Sequence, residues 1–256
     1  MKLAIFQSAG GGLSVQERLA RLSDALAQTD CDLMVCPELY VSGYNVGDVV
    51  GQVAKTQSAG FIKQASALAA SSKTALVLGY PELVEGVLYN SALFLDATGQ
   101  ARANHKKLAI PPGFECDHFT AGNMMTLFDC MGLKCAILIC YDAEFPETLR
   151  KVAQMGAQLV IVPTALNVNW PVVADKVMPA RAFENGVWLA YANHAGVEGD
   201  LEYYGHSCIV TPTGADAARA GLAEEVLVAE IDVDAVTAAQ ERLPYLKDVT
   251  NLHSVL

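Results

Sequence analysis

The sequence predicts an α/β fold in which two sheets pack on each other and helices cover their outer faces. Short apolar runs of strand length alternate with longer stretches whose apolar residues recur at helical spacing. Two hairpin signals interrupt that alternation, which a single doubly wound sheet would keep unbroken. No Pro- or Ser-rich linker and no internal repeat divides the 256 residues, so they read as one domain.

The elements follow in order. Residues 3–7 are a short apolar strand. Residues 14–29 form a helix with Val15, Leu19, Leu22 and Leu26 on one face, and Ser14 followed by Glu17 has the form of a capping box. Residues 33–36 are a strand stopped by Pro37. Residues 58–71 form a second helix with Phe61, Ile62, Ala65, Leu68 and Ala69 inward, and residues 75–79 a strand. Residues 89–95 and 100–106 form a hairpin around the turn DATG, and residues 125–128 and 134–140 a second around DCMG. Helix 146–155 opens on Pro146. Strand 159–162, helix 174–185 and strands 187–192, 207–211 and 226–231 complete the core, and residues 232–256 are a short helix and a tail.

Charge and composition exclude several functions. Lys and Arg number 17 against 28 Asp and Glu, a net charge of −11, which disfavours nucleic acid and anionic membrane surfaces as partners. No apolar run approaches the ~18 residues of a membrane span, and the apolar N-terminal stretch is too short for a signal peptide, so a cytoplasmic location is expected. The seven cysteines are an odd number scattered mostly in apolar runs, and read as buried thiols rather than a disulfide framework. Five dispersed histidines, with no CxxC and no HExxH, give no reason to expect a metal.

Three segments place a reactive side chain just after an apolar strand: LMVCPELY with Glu38, NHKKL with Lys106 and Lys107, and KCAILICYDAEFP with Cys140. Taken singly, each has an ordinary explanation: a surface carboxylate, a solvated strand end, a core thiol. Together they supply an acid, an ammonium and a thiol. A thiol of pKa ~8.5 is mostly protonated at neutral pH, and a glutamate of ~4.3 is too acidic to take its proton. Burial would raise the glutamate and a neighbouring ammonium would lower the thiol, bringing the two together. The ammonium would also stabilise the oxyanion formed when a thiolate attacks a carbonyl. Alternation along the strand puts only one of the two lysines on the pocket side.

These segments resemble the motifs of the carbon–nitrogen hydrolases of the nitrilase superfamily. CPELYVSGY (36–44) looks like the family's Glu motif, NHKKL (104–108) its Lys motif and GLKCAILICYDAEFPE (132–147) its nucleophile motif. MGAQLVIVPTA, RAFENGVWLAYANHAG and GHSCIVTPTG follow in the family's order, so the resemblance spans nearly the whole chain. It implies a four-layer α-β-β-α sandwich, with Glu38 as general base, Lys106 as the oxyanion-stabilising amine and Cys140 as nucleophile. It also implies that Glu115 orients substrate and lysine, that the Tyr141 N–H is an oxyanion donor, and that Tyr44, Asn167 and Trp170 line the pocket. Cys36 reads as packing, and His105 as a passenger of the Lys motif.

The activity implied is hydrolysis of a small carboxamide to acid and ammonia through a cysteine thioester, with no cofactor. Cys140 is followed by Tyr-Asp, which favours carboxamides over nitriles. An N-carbamoyl amine hydrolase, a nitrilase, and a catalytically silent member acting as a binding protein stay as alternatives. The resemblance further implies a homodimer or higher homo-oligomer. The apolar Leu246, Val249, Leu252, Val255 and Leu256 suggest that residues 244–256 cross to a partner subunit.

Overall fold

The computed structural model describes residues 1–252, and within them all side chains but those of 57 and 58. It has two six-stranded sheets. The first contains β1 (Lys2–Gln7), β2 (Leu33–Val35), β3 (Ala75–Val84), β4 (Val87–Leu95) and β5 (Ala101–Lys106) in that order, with β14 (Glu225–Glu230) beside β1. The second runs β6 (Thr126–Cys130), β7 (Leu133–Ile137), β8 (Leu159–Pro163), β9 (Trp188–Ala192), β12 (Cys208–Val210), β13 (Asp216–Arg219). A short ribbon, β10 (Val197–Glu198) with β11 (Leu201–Glu202), stands apart from both.

Helices α1 (Val15–Gln28) and α2 (Val49–Ser72) cover the first sheet, and α4 (Pro146–Gln154) and α5 (Met178–Asn185) the second. A short α3 (Phe114–His118) lies between the sheets' sequences, and α6 (Val233–Arg242) and α7 (Tyr245–Leu252) end the described chain.

Strand alternation assigns each side chain to a layer. Leu3, Ile5, Leu33 and Val35 face the other sheet and meet Ile137, Ile161, Ala190 and Ile209 there. Their neighbours Ala4, Phe6, Met34 and Cys36 face α1 and α2 instead. Ala136, Leu138, Val160 and Val162 face α4 and α5. Three apolar interfaces therefore hold four layers, the α-β-β-α sandwich that the motif resemblance implies.

The two sheets also repeat one pairing pattern: antiparallel, two parallel pairs, then two antiparallel pairs. The repeat is one of topology, with no matching sequence repeat.

Several elements differ from the sequence reading. Helix α1 starts as expected, with Ser14 accepting from the Glu17 N–H and Glu17 accepting from the Ser14 N–H at 2.7 Å. Helix α2 begins nine residues before the predicted 58, at Val49. Buried Val50, Val53 and Ala54 extend its apolar face across Gly51. Strand β3 runs on to Val84 through Pro81 and turns through Glu85-Gly86, both at positive φ, into β4. Beyond Val77 only β4 pairs with it, so one edge is open and tolerates the proline.

The predicted helix 174–185 is a π-turn (Val173–Val177) leading into α5, whose second residue is Pro179. Helix α7 lies against α4 and α5 of its own chain, with Leu246 on the second sheet's helical core. Val255 and Leu256 lie outside the described residues. No described helix is long and apolar enough to cross a membrane.

Candidate active site

The parallel strands of both sheets point their C-terminal ends to one side of the sandwich, where the Glu38 N–H reaches the Thr164 carbonyl of the other sheet at 3.4 Å. Glu38 sits just beyond β2, in a turn with Leu39 at positive φ. Gly79 of β3 makes that turn fit. A Cβ there would lie 2.3 Å from the Pro37 carbonyl oxygen and 2.6 Å from the Leu39 nitrogen. His194 fixes the turn from the other side, donating from Nε2 to the Glu38 carbonyl at 2.7 Å. Burial holds the His194 pKa down near 4, so the ring is neutral at pH 7.

The lysine expectation is corrected. Lys107, not Lys106, enters the interior. Its ammonium is fully buried and lies 2.6 Å from Glu38 Oε1 and 2.5 Å from Glu115 Oε1. Strand alternation sends His105 and Lys107 inward and Lys106 the other way. Lys106 stacks its ammonium 3.8 Å from the centre of the Tyr89 ring. The backbone N–H of Lys107 donates to the Asn90 carbonyl at 2.8 Å, just past the last β5 pair.

Asn90, which the sequence reading did not single out, completes the cluster. Its side-chain amide donates to Glu38 Oε1 at 2.7 Å and to Glu115 Oε2 at 3.0 Å. An asparagine inside a strand of otherwise apolar inward residues (LYNSALFL) is the signal that could have found it. Tyr44 donates to Glu115 Oε1 at 2.8 Å, and its ring packs on Phe114. Glu38 Oε2 is buried and has no hydrogen-bond partner among the described residues.

Cys140 follows β7 and opens a short 3₁₀ helix, Cys140–Glu144, with its own φ at +44°. The predicted strand 134–140 thus stops at Ile137, and the cysteine sits on a strained turn. The turn is tied down by Asp142. Its carboxylate accepts from the Ile139 N–H at 3.0 Å and, across the gap, from the N–H groups of Leu108 and Ala109 at 2.9 and 2.7 Å. His105 joins it at 3.1 Å, so that histidine is a strut between the lysine strand and the cysteine turn rather than a passenger.

The electrostatics are those of a dry pocket. Burial and the neighbouring Glu115 push Glu38 up to about 7, against the pull of Lys107 and Asn90. Burial lowers the Lys107 pKa, but Glu38 and Glu115 more than offset it and the amine stays an ammonium. Burial and Glu38 also raise the Cys140 thiol, more than Lys107, Thr164 and the Ala165 N–H lower it. The ammonium does lower the thiol as expected, but burial outweighs it and the resting sulfur is protonated.

Of the remaining predicted residues, Tyr141 follows the cysteine and packs edge-on to Phe145 at 4.8 Å. Asn167 spends its side-chain oxygen on the Asn169 N–H at 2.7 Å, inside its own turn. Trp170 is 63% exposed and so does not wall an enclosed pocket in the single chain. Cys36 packs under the helices as read, and five of the seven thiols are buried. Among the described residues there is no group of three His, Cys, Asp or Glu that could hold a metal ion.

Four segments thus bring a sulfur, an ammonium and two carboxylates together at one end of an α-β-β-α sandwich. The family model described as "Carbon-nitrogen hydrolase" matches residues 4–241, and the chain belongs to that family. It is 38% identical over 252 residues to the "Hydrolase in pqqF 5'region" of Pseudomonas protegens, covering 97% of this chain and 88% of that protein. It is 34% identical to an (R)-stereoselective amidase of a Pseudomonas species, over 97% of this chain and 91% of the relative. Among solved structures it resembles a Glu-to-Gln variant of the amidase from Nesterenkonia sp. AN1 carrying acrylamide added to its active-site cysteine. That likeness has a TM-score of 0.87, 32% identity, and coverage of 95% of this chain and 98% of the other. The chain is a hydrolase of the nitrilase superfamily acting on carbon–nitrogen bonds.

Proposed function

We propose that the protein hydrolyses a small carboxamide to the carboxylic acid and ammonia, with Cys140 as nucleophile, Glu38 as general base and Lys107 as oxyanion stabiliser. The observation that carries this reading is the buried Glu38–Lys107–Glu115 cluster beside the strained Cys140 turn. A carboxylate near pKa 7 takes up a proton far more readily than an ordinary glutamate. The thiol proton passes to Glu38 as sulfur attacks the carbonyl carbon, so no free thiolate need accumulate.

The negative charge formed on the carbonyl oxygen meets the Lys107 ammonium and the Tyr141 N–H. Glu38 then returns the proton to the amide nitrogen, the C–N bond breaks, ammonia departs and a thioester to Cys140 is left. Water, deprotonated by Glu38, attacks the thioester, and the acid leaves with the thiol restored. Glu115 holds Lys107 in place and Tyr44 holds Glu115. The thiol proton leaves on ammonia and is replaced through Glu38 by a proton from water, so the reaction needs no group beyond the chain's own residues and that water.

Ammonia release from a panel of small aliphatic amides, carbamoyl amines and nitriles tests the reading. Amide turnover that is abolished in Cys140→Ala supports it. Turnover of carbamoyl amines or nitriles alone, or an unaffected alanine variant, overturns it. Labelling by iodoacetamide is best done in a Cys116→Ser background, because Cys116 is an exposed thiol. The same reading includes a homo-oligomer, supported by the exposed apolar Phe183, Leu243, Tyr245 and Leu252 around α5 and α7.

A further inference from the structure

A second buried ion pair lies outside the catalytic cluster. Arg18 Nη2 meets Glu198 Oε1 at 2.8 Å, and both side chains are shielded from water. Two charges taken out of water need further hydrogen bonds to offset their lost hydration. Glu198 Oε2 supplies three by accepting from the Tyr44 and Asn45 backbone N–H groups at 2.8 Å each and from the Tyr203 hydroxyl at 2.5 Å. The β10–β11 ribbon that carries Glu198 pairs with neither six-stranded sheet, and this carboxylate ties it to the chain that follows Glu38.

The segment it ties down supplies Tyr44. The Tyr44 hydroxyl donates to Glu115 Oε1 at 2.8 Å, and the same oxygen lies 2.5 Å from Lys107 Nζ. An unbroken line of contacts therefore runs from the Glu198 carboxylate through the Tyr44 backbone and ring to Glu115 and Lys107. The fit around the ion pair is close. A Cβ on Gly43, at φ +86°, would lie 2.4 Å from Glu198 Oε1 and 2.7 Å from Arg18 Nη2. Asn45 closes the clasp, its side chain donating to the Glu198 carbonyl at 3.0 Å and to Asp200 Oδ1 at 2.7 Å.

We infer that Glu198 is a positioning residue of the reaction: its carboxylate fixes the Tyr44 turn, so that the Tyr44 hydroxyl keeps Glu115 in place against Lys107. This rests on the amidase reading above, in which the Lys107 ammonium meets the oxyanion. Charge on the carbonyl oxygen develops only in the transition state, so a displaced ammonium costs kcat rather than substrate binding. A misplacement of ~1 Å by a change far from the chemistry can cost ~100-fold. Glutamine cannot replace Glu198, because both carboxylate oxygens accept. Its amide nitrogen would face either Arg18 Nη2 or the Tyr44 and Asn45 N–H groups, a donor against donors.

The test is a double-mutant cycle of Glu198→Gln and Tyr44→Phe, with kcat and KM measured by ammonia release from the aliphatic amide that wild type turns over fastest. The expected result is a kcat ~10-fold or more below wild type in each single variant, with KM within ~3-fold. The double variant then falls no more than ~3-fold below the worse single one, because both changes break the same line of contacts. A Glu198→Gln kcat within ~3-fold of wild type overturns the inference. So does a double variant whose loss is the product of the two single losses, since Glu198 would then act independently of Tyr44. Should Glu198→Gln fail to fold with Arg18 left unpaired, the paired change Arg18→Met/Glu198→Met replaces the ion pair by apolar groups and takes its place in the cycle. Tyr44→Phe removes one hydroxyl and leaves the ion pair alone, so a kcat within ~3-fold of wild type in that variant overturns the inference whatever the others do. Each of these results leaves the amidase reading intact. A wild type that turns over no amide overturns that reading, and the assignment of Glu198 with it.

Discussion

Glu38 owes its raised pKa to where it sits. Removed from water and crowded by Glu115, it holds its proton to about pH 7, although Lys107 and Asn90 oppose this. The proposed mechanism needs the base form for attack, so kcat/KM should rise as pH increases through about 7 and level off above it, read from initial rates between pH 5 and 9. The stability effect has the opposite sign. The folded protein holds this proton more tightly than the unfolded chain, so the contribution is fully present below the unfolded value near 4.5. It is lost as pH rises through about 7. His194 acts the other way, since its depressed pKa costs stability as pH falls from 6.5 toward 4.

The two adjacent lysines give a sharper test at the same scale. Lys107→Ala removes the ammonium between two buried carboxylates and should cut kcat/KM by ~10³-fold or more, with a lowered melting temperature. Lys106→Ala loses only a contact with the Tyr89 ring and should stay within ~3-fold of wild type. Equal losses from both would remove Lys107 from the proposed mechanism. The sequence limited the choice to one of two neighbours. Which one faces inward depends on where β5 leaves its ladder, and that is decided by pairing with β4.

At the scale of elements, the site is held by parts that do no chemistry. Gly79 leaves room for the Glu38 turn, and the Asp142 carboxylate ties the Cys140 turn to the chain after Lys107. Gly79→Ala should displace that turn, costing both stability and at least ~10-fold in kcat, because backbone atoms cannot step aside as a flexible side chain can. Gly51, inside α2, has nothing within 4 Å of a built Cβ. Gly51→Ala should therefore stabilise the protein by ~0.5–1 kcal/mol, read from denaturant melts, with activity retained. A glycine count from sequence does not separate these two positions. The close approach of β3 to the turn after β2 does.

On the scale of the whole molecule, two sheets with one pairing pattern face each other, and the loops beyond their parallel strands bring the reactive groups together. The C-terminal helix α7 has no fully buried residue in the single chain, though Leu246 and Tyr245 touch the second helical layer. Deleting residues 245–256 should lower the mass per particle in light scattering, if this apolar face is shared between subunits. An unchanged number of chains per particle would remove α7 from any subunit contact.

By itself the sequence determined the layered class of fold and the order of most strands and helices, and it set Glu38 and Cys140 just beyond apolar strands. Those follow from local periodicity, from turn residues and from reactive side chains placed after apolar strands. Tertiary structure alone decided that Lys107 enters the cluster, that Asn90 and His105 brace it, and that burial raises the thiol as well as the glutamate. These are consequences of pairing register and of water exclusion between distant segments, and neither quantity is a property of any short stretch of chain.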